Sequence, residues 1–438
     1  MYNTFMENKT QVIIVGGGPA GISAGVTLAR AGKEVVLIER GNFCGSKNVF
    51  GGAIYTQPTK EIFPNFEENA PLERNNTKHK YMLLTETDDT TISHAQKTEK
   101  SNSYTVIRAK FDRWLADQAK KAGVTIVTET VVKELIVKND KVVGVKTELE
   151  EYFADIVILA DGVNSLLARQ IGLRENFSKE DVALGVKEVI KIGADKINER
   201  FNLNDNEGCI TEIIGYPMNS MLGLGYIYTN KDSVTIGLGV ALNELTENKV
   251  KPHELLDKLK EHPSISPLIK DGELVEYSAH LIPEGGYNKI PKLYSDGVMV
   301  VGDAAMLVNN LHWEGTNLAM LSGKFAGETA IQAIDSNDFS ANSLKLYNKK
   351  LENSFILKDL MSYKNLMPVM HKRRHSFTNY YIKKVNSFFE MFTSVDGIVK
   401  RDKFRNFIKT IFTDRSFLEL FKDGTSVLKL LWEILKWA

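Results

Sequence analysis

The chain has 438 residues, too many for a single hydrophobic core, so two or three domains are expected. With 43% hydrophobic and 25% charged residues and no low-complexity tract, the composition is that of a folded globular protein and excludes a disordered one. The formal net charge is zero, but residues 345–438 hold 19 Lys and Arg against 9 Asp and Glu, a balance of +10, which leaves −10 for the rest. The two parts are therefore expected to face different surroundings, unless the basic part is only a solvated helical face.

Only two cysteines occur, Cys44 and Cys209. This excludes a disulfide framework and also a cysteine-ligated iron–sulfur cluster within the chain, which needs about four thiolates. No metal site is expected. The first residues, MYNTFMENKT, have no apolar h-region, so no signal peptide is expected, and no apolar run reaches the roughly 18 residues of a membrane span.

The first predicted elements form a nucleotide-binding unit. In QVIIVGGGPAGISAGVTLARAGKEVVLIER, residues 11–15 read as a buried strand, residues 20–31 as a helix and residues 35–38 as a second strand. Gly16, Gly18 and Gly21 form G-x-G-x-x-G between the first strand and the helix, and Glu39 closes the second strand. Strand, glycine turn, helix, strand and acid together predict a βαβ dinucleotide site, with pyrophosphate at the helix N-terminus and a ribose at Glu39.

Two later segments decide between FAD and NAD. ADIVILADGVNS is a predicted strand that ends in Asp161-Gly162, and DGVMVVGDAAM is a predicted strand that ends in Gly302-Asp303, with a helix from about residue 316. A strand ending in Gly-Asp suits an acceptor for ribityl hydroxyls, which NAD lacks. Together with the first glycine motif, these segments resemble the FAD-binding proteins of the glutathione-reductase-like superfamily. No second G-x-G-x-x-G and no cysteine partner for Cys44 are present, so neither a nicotinamide domain nor a disulfide reductase is expected.

The loop FCGSKNVFGG, residues 43–52, follows the second strand. Its glycines allow close contact with a flat ring, so we expect it to wall the flavin, although it could be a simple glycine-rich connector. Cys44 is expected to be a small wall residue rather than a nucleophile, because no local base is evident; Lys47, a cationic neighbour, leaves that point open.

The remaining chain changes character twice. Between residues 181 and 291, alternating strands surround one predicted helix, residues 252–261, which indicates an antiparallel sheet with one covering helix. From residue 353 the chain is helical, basic and aromatic, as in VLKLLWEILKWA. Such helices suit the surface of an anionic membrane, but also helices that cover the core or dock an acidic subunit.

The predicted fold class is α/β, α+β overall: a Rossmann-like FAD-binding domain with an inserted antiparallel substrate domain and a helical C-terminal region. We assign residues 1–80, 106–178 and 292–340 to the FAD-binding domain, residues 81–105 and 179–291 to the substrate or quinone domain, and residues 341–438 to the C-terminal region.

Over residues 10–350 the chain resembles the electron-transfer flavoprotein–quinone oxidoreductase family, especially its FixC-like branch. The resemblance is carried by CGSKNVFGG, VIRAKFDRWLADQAKKAG, LGVKEVI, GYPMNSMLGLGYIY, HPSISPLI, IPEGGYNKIPK and NLHWEGTNLAM. It implies an FAD-dependent enzyme, peripheral on the cytoplasmic face of the membrane, that takes electrons from an electron-transfer flavoprotein. Fused members end in a ferredoxin-like domain, but no cysteine follows Cys209 here, so a separate small ferredoxin-like subunit or quinone is the implied acceptor. No nucleic-acid partner is expected.

Residues and resemblance together give the candidate site. For FAD they are Gly16, Gly18, Pro19, Ala20, Gly21, Glu39, Arg40, Cys44, Gly45, Ser46, Lys47, Asn48, Gly51, Gly52, Arg108, Arg113, Val132, Ala160, Asp161, Gly162, Gly302, Asp303, Gly315, Thr316 and Asn317. For catalysis they are His312, Trp313 and Glu314, and for the substrate Gly223, Gly225 and Tyr226.

Several of these assignments have alternatives. Arg113 could be a surface residue of the helix at residues 111–122, His312 could be a structural histidine rather than a proton relay, and glycine in a strand can mark a bulge. At the level of the whole protein, a flavin-dependent prenyl-lipid reductase similar to geranylgeranyl reductases is one alternative. A flavoprotein subunit that only docks partners, without turnover of its own, is another.

Overall fold

The computed structural model describes residues 9–46, 52–96, 102–312 and 314–437. The chain divides into two compact units, each made of three segments. Unit 1 is Met1–Glu73, Asn102–Val182 and His280–Lys364; unit 2 is Arg74–Ser101, Ala183–Ala279 and Asn365–Ala438.

The strands of the described residues are numbered along the chain. They are β1 (Lys9–Val15), β2 (Val35–Ile38), β3 (Ala53–Tyr55), β4 (Leu72–Leu84), β5 (Asp89–Ala95), β6 (Ser103–Val106), β7 (Thr125–Val127), β8 (Val132–Lys138), β9 (Lys141–Thr147), β10 (Glu151–Leu159), β11 (Val182–Lys191), β12 (Glu207–Gly215), β13 (Gly223–Thr229), β14 (Ser233–Ala241), β15 (Glu273–Pro283), β16 (Tyr294–Ser295) and β17 (Val298–Val300).

The α-helices are numbered in the same way. They are α1 (Pro19–Arg30), α2 (Thr56–Lys60), α3 (Phe66–Asn69), α4 (Arg108–Ala122), α5 (Leu166–Gln170), α6 (Ala194–Phe201), α7 (Leu242–Asn248), α8 (Pro252–Glu261), α9 (Ser266–Ile269), α10 (Thr316–Ser336), α11 (Ala341–Asn353), α12 (Phe355–Ser362), α13 (Leu366–His375), α14 (Tyr381–Thr393), α15 (Lys400–Asp414) and α16 (Phe417–Trp437). A π-helical turn, Ser376–Tyr380, joins α13 to α14.

Unit 1 is built on a sheet with the strand order β16-β17-β10-β1-β2-β7. Its central strands are parallel and fully buried runs of Val, Ile and Leu, as expected for strands covered on both faces. In register, Val15 of β1 lies beside Ile38 and Leu159, and Leu159 lies beside Val300. The residues that follow these four strands therefore meet at one edge of the sheet, the edge at which open α/β sheets bind ligands.

Helices α1 and α10 cover this sheet and approach each other closely. A Cβ at Gly323 of α10 would overlap the carbonyl oxygen of Ala20 in α1, and one at Gly302 would lie 2.9 Å from the Ala20 Cβ. Small residues at these positions let the two helices and the β17 end pack together. The contact fixes the N-termini of both helices beside the ligand-binding edge.

Unit 2 is built on a sheet with the strand order β15-β11-β14-β13-β12-β4, and β5 pairs with β4. Pairing is antiparallel through β11, β14, β13 and β12, as predicted, whereas β12 and β4 pair in parallel. One covering helix was predicted; α8 has the predicted bounds, and α6, α7 and α9 are also present. Ile197, Phe201 and Leu245 of α6 and α7 are buried in the same core as Leu259 of α8.

The C-terminal part of unit 2 is helical, as predicted. Asn386 of α14 donates a hydrogen bond to the Leu83 carbonyl oxygen at 2.9 Å and accepts one from Thr90 Oγ1 at 2.9 Å, which ties α14 to β4 and β5. The Asp423 carboxylate of α16 is buried and pairs with Arg415 at 3.0 Å and with Arg373 at 3.6 Å. Among the described residues, no helix combines the length and the apolar composition needed to cross a bilayer.

Candidate active site

The glycine turn after β1 is shaped by the protein's own backbone. Gly16 has φ +106°, and a Cβ there would overlap the Ala160 carbonyl oxygen. A Cβ at Gly21 would overlap the Gly16 carbonyl oxygen. Gly18 is the extended N-cap of α1 and Pro19 is its first residue. The turn therefore brings the free N–H groups of the α1 N-terminus to the end of β1, a position suited to a phosphate.

Glu39 is buried at the end of β2 and faces this turn. Its Oε2 accepts a hydrogen bond from the Gly17 N–H at 2.8 Å, and its Oε1 accepts one from the Gly41 N–H at 2.6 Å. The Glu39 carbonyl oxygen accepts from the Thr130 N–H, two residues before Val132 opens β8. A carboxylate has about four acceptor positions, so Glu39 retains capacity for a ribose hydroxyl.

Cys44 lies behind the glycine turn. A Cβ at Gly17 would be 2.5 Å from the Cys44 Sγ, and burial, reinforced by Glu39, raises the pKa of the thiol to about 12. A neutral, buried thiol at neutral pH supports a wall residue rather than a nucleophile. Gly45 has φ +86°, and a Cβ there would overlap Asp112 of α4, so glycine is required for the loop to pass that helix.

The rest of this loop is described in part. Ser46 has a buried Oγ that finds no hydrogen-bond partner among the described residues, and Gly52 is buried where the chain resumes before β3. Lys47, Asn48 and Gly51 lie outside the described residues. The prediction that the loop walls the flavin stays a prediction.

The two arginines predicted from α4 have different surroundings. Arg108 is buried and forms a bidentate ion pair with Asp112 (2.9 and 3.0 Å), and its Nη1 lies 3.4 Å from Thr316 Oγ1 at the start of α10. Arg113 is exposed and stacks on the Phe43 ring, with 4.1 Å from its Cζ to the ring centroid. Arg108 is therefore part of the cluster at the sheet edge, whereas Arg113 holds the start of the loop.

Two carboxylates at this edge share a buried arginine that sequence reasoning missed. Burial raises the pKa values of Asp161 and Asp303 to about 6, and the positive charge of Arg174 opposes the rise at both. The Arg174 guanidinium donates to the carbonyl oxygens of Val163 at 2.8 Å and Ala304 at 3.2 Å, one residue beyond each Gly-Asp or Asp-Gly pair. In the sequence IGLREN nothing marks Arg174 as central, because its partners are main-chain oxygens from distant segments.

Both carboxylates retain acceptor capacity toward a ligand. No described residue donates a hydrogen bond to the Asp303 side chain, and the buried Oδ1 of Asp161 has no partner in the described part of the chain. Beside Asp161, Gly162 has φ +76° with open space where a side chain would be. Buried acceptors without donors are costly, so a hydroxyl-rich ligand at this edge would satisfy them.

The N-terminus of α10 supplies donors and one more unsatisfied acceptor. Gly315 is the N-cap, and Thr316 and Asn317 form the first turn without a side-chain cap. Asn317 Nδ2 donates to Glu314 Oε2 at 3.3 Å, and its buried Oδ1 has no described partner. Burial raises the pKa of Glu314. His312 is exposed, with its Nε2 at 3.4 Å from the Tyr363 Oη; Trp313 lies outside the described residues.

Two further ionisable groups of unit 1 with shifted pKa values were not predicted as site residues. Burial, together with the positive charges of Arg108 and Arg40, lowers the pKa of the half-buried His280 to about 4. Burial raises the pKa of Glu284 to about 8, and its carbonyl oxygen accepts a hydrogen bond from Asn310 Nδ2 at 2.6 Å. Glu284 lies in the IPEGG segment of the family resemblance, which was the available signal for it.

The three predicted substrate residues of β13 lie on both faces of the unit-2 sheet. A Cβ at Gly225 would contact Ile213 and Leu259 at 3.2 and 3.3 Å, so Gly225, like Gly223 two residues before it, faces the helix-covered core. Tyr226 points to the opposite face. The sequence did not predict which residues of β13 share a face, because both faces of this strand are largely buried and its polar and apolar residues do not alternate.

The edge of the unit-1 sheet has the donors and acceptors that FAD requires. The α1 N-terminus can hold a pyrophosphate, Glu39 a ribose, and Asp303 or Asp161 a ribityl hydroxyl. The α10 N-terminus can stabilise negative charge on a reduced ring. The fold and this set of groups define an FAD-dependent oxidoreductase.

Residues 9–220 match the model of an FAD-binding domain, residues 182–282 that of an ETF-QO ubiquinone-binding domain, and residues 366–432 that of the ETF-QO/FixC family C-terminal domain.

The chain belongs to the ETF-QO/FixC family. It is 41% identical to the FixC protein of Azorhizobium caulinodans over 426 residues, covering 96% of this chain and 98% of that protein. It is 39% identical to FixC of Escherichia coli K12, covering 95% and 98%. A geranylgeranyl bacteriochlorophyll reductase-like protein from Thermoplasma acidophilum has the same fold, with a TM-score of 0.72 at 20% identity over 95% of this chain and 98% of that one. A flavin-dependent brominase matches with a TM-score of 0.63 at 17% identity, over 93% and 100%.

Proposed function

We propose that this protein takes electrons from an electron-transfer flavoprotein and passes them through its FAD to a quinone, to a small ferredoxin-like iron–sulfur subunit, or to both. The observation that carries this proposal is the match of residues 182–282 to an ETF-QO ubiquinone-binding domain, within a chain that resembles FixC proteins over nearly its whole length. Residues 1–438 contain only two cysteines, too few to ligate an iron–sulfur cluster, which is why the proposal places that acceptor on a separate subunit.

Within this proposal the unit-1 residues bind and tune the cofactor. Asp303 and Asp161 accept hydrogen bonds from the ribityl chain, and Arg174 holds the two segments that carry them in register. The N–H groups of Thr316 and Asn317, in the first turn of α10, would face the pyrimidine end of the ring. The positive end of the α10 dipole there favours the reduced, anionic state, when FAD is bound, and so eases electron acceptance.

The test is an anaerobic electron-transfer assay on the purified holoprotein. A candidate electron-transfer flavoprotein, kept reduced, should bleach the FAD of this protein, and a short-chain quinone should then restore the oxidised spectrum. Failure of the quinone together with reoxidation by a small ferredoxin would remove quinone from the proposal. Failure of both acceptors would refute it.

We further propose that the C-terminal helices hold the protein on the cytoplasmic face of an anionic membrane. Large apolar side chains of α16 are exposed at helical spacing, with Phe417 at 72%, Trp432 at 71% and Leu435 at 69%. These helices carry the basic balance of the chain. Apolar side chains that insert and cations that contact anionic headgroups are the two contributions that bind an interfacial helix.

Co-sedimentation with liposomes tests the membrane proposal. Binding should be stronger to anionic than to neutral liposomes and should weaken, without vanishing, in high salt, because only the charge contribution is screened. Leu431→Glu combined with Trp432→Glu should abolish the salt-resistant part. Leu149→Glu combined with Leu274→Glu is the matched control, with the same charge change at exposed apolar positions elsewhere. Absence of binding to anionic liposomes at low salt would refute the proposal and favour an acidic protein partner.

A further inference from the structure

One face of the unit-2 sheet carries four polar side chains in one cross-strand row, with a glycine between the first and the second. Lys187 of β11, Gly237 of β14, Tyr226 of β13, Glu212 of β12 and Tyr81 of β4 are successive cross-strand partners. Their sequence neighbours on these strands point the other way, into the core that α8 covers. The row therefore lies on the face turned away from α8.

The row is closely built around Tyr226. Its ring lies over Gly237, where a Cβ would be 2.5 Å from the Tyr226 Oη, so a side chain at position 237 would displace the phenol. Tyr228 stacks beside it, with ring centroids 4.7 Å apart. Lys187 is buried and forms an ion pair with Glu276 at 3.2 Å.

Glu212 carries the only carboxylate of this row. This carboxylate receives no hydrogen bond from the described residues, and the residue is half-buried. The titratable groups facing it are Tyr81 and Tyr226 on the adjacent strands, His79 one row along β4, and the Lys187 pair two strands further. Burial raises the pKa of Glu212 to about 7, and the charge of Glu212 in turn raises the pKa of Tyr81. A carboxyl group of this kind takes up and releases a proton near neutral pH.

We propose that this face binds the quinone head group and that Glu212 donates a proton to one carbonyl oxygen of the quinone. The proposal rests on the proposed function, since it requires quinone as an acceptor. Conversion of a quinone to a quinol takes up two electrons and two protons. Reduced flavin, when bound, would supply the two electrons and one proton; the second proton leaves the Glu212 carboxyl, forms the O–H bond of the quinol, and is replaced from solvent.

The other groups of the row fit supporting roles. The pKa of Tyr226 is raised well above its ordinary value by burial, so its phenol stays protonated at neutral pH. Lys187 is held in an ion pair with Glu276 at the β11 end of the row. Glu212 is thus the acid of this face that can both lose a proton and regain one from water.

The test compares the wild type, Glu212→Gln and the control Glu207→Gln. Glu207 begins the same strand, and backbone hydrogen bonding from Asn204 lowers its pKa, so it is ionised at neutral pH. The first readout is infrared and needs no turnover. Other buried carboxyls, Glu284 above all, absorb in the same region, so the readout is the difference spectrum of wild type minus variant. For Glu212→Gln this difference should contain a protonated-carboxyl C=O band that disappears between pH 6 and about pH 8, and for the control it should contain none.

The second readout is a single turnover of pre-reduced holoprotein mixed anaerobically with a short-chain quinone. Above about pH 7 the wild-type rate should fall about tenfold per pH unit, as the protonated fraction falls. Glu212→Gln should be about 100-fold slower at pH 6.5, with a rate independent of pH, whereas reduction of its flavin by dithionite is unchanged. Glu212→Asp keeps a carboxyl group, so its rate should remain pH-dependent and within about tenfold of the wild-type rate. This variant replaces Glu212→Gln in the test if the Gln variant retains no FAD.

Two results would overturn the inference alone: the difference spectrum of wild type minus Glu212→Gln contains no titrating carboxyl band, or that variant keeps the wild-type rate and pH profile. If the wild type itself passes no electrons to quinone, the proposed function fails at that step, and this inference fails with it.

Discussion

Replacing Asp303 by Asn tests the FAD site most directly. The Asp303 carboxylate stands at the carboxyl end of β17 and receives no hydrogen bond from the described residues, so it is free to accept one from a ribityl hydroxyl. A hydrogen bond to a charged group is worth about 1.5–3 kcal/mol, so the dissociation constant for FAD should rise about 10- to 150-fold in Asp303→Asn.

The pH dependence has a defined sign. Burial raises the pKa of Asp303 to about 6 in the protein without ligand. A hydroxyl that donates to the ionised carboxylate favours ionisation and lowers this pKa in the complex. The contribution of Asp303 to FAD affinity is therefore present above pH 6 and is lost as the pH falls below it. In Asp303→Asn the FAD affinity should not show this decrease at low pH.

Quenching of FAD fluorescence on binding to the apoprotein, measured from pH 5 to 8, gives the dissociation constants. Asp140→Asn in the exposed turn between β8 and β9 is the control, because it removes an aspartate outside the sheet edge. A dissociation constant for Asp303→Asn within about twofold of the wild type, or identical pH profiles for the two proteins, would refute the role of Asp303.

Three further predictions follow from other parts of the structure. NADH and NADPH alone should reduce the flavin slowly in stopped-flow measurements, because the sequence has no second dinucleotide motif; rapid bleaching would contradict this. Burial raises the pKa of the Glu284 carboxyl to about 8, so the folded protein holds this proton at pH values at which the unfolded chain has lost it. From pH 5 to pH 8 the wild-type free energy of unfolding, measured with denaturant, should therefore fall by about 3 kcal/mol relative to that of Glu284→Gln. Equal pH profiles of the two proteins would show that Glu284 is not a buried acid. Gly323→Ala should lower stability by about 1–3 kcal/mol through overlap with Ala20, whereas Gly424→Ala in α16, where a Cβ meets nothing, should leave it unchanged or raise it by up to about 1 kcal/mol; equal effects would refute the helix contact.

Elements with strong local signals were predictable from the sequence. The strand β2 and the helix α8 have the predicted bounds, and α10 begins at the predicted residue Thr316. Glycine turns, a proline at the first helical position and buried β-branched runs are local features, so they determine these elements before tertiary contacts form. The predictions of the fold class, the FAD cofactor and the family, which depend on the same local motifs, are also confirmed.

What remained unpredicted depends on contacts between distant segments. Arg174 donates hydrogen bonds to the main-chain oxygens of Val163 and Ala304, which lie 11 and 130 residues away along the chain. Any residue could provide these oxygens, so the sequence does not mark the contact. The short helices α6 and α7 have two or three buried apolar residues each, too few for a periodic signal. The face to which a strand residue points also depends on register and on which face the helices cover.

The division of each unit into three chain segments affects how the protein is made. In the unit-1 sheet, β17 completes the edge at residues 298–300, although β1 is made first. A nascent chain released from N- to C-terminus therefore holds the glycine turn for most of its synthesis without Gly302-Asp303 beside it. The complete cofactor-binding edge can therefore form only late in synthesis, and until α10 is made the β1 strand lacks this covering helix.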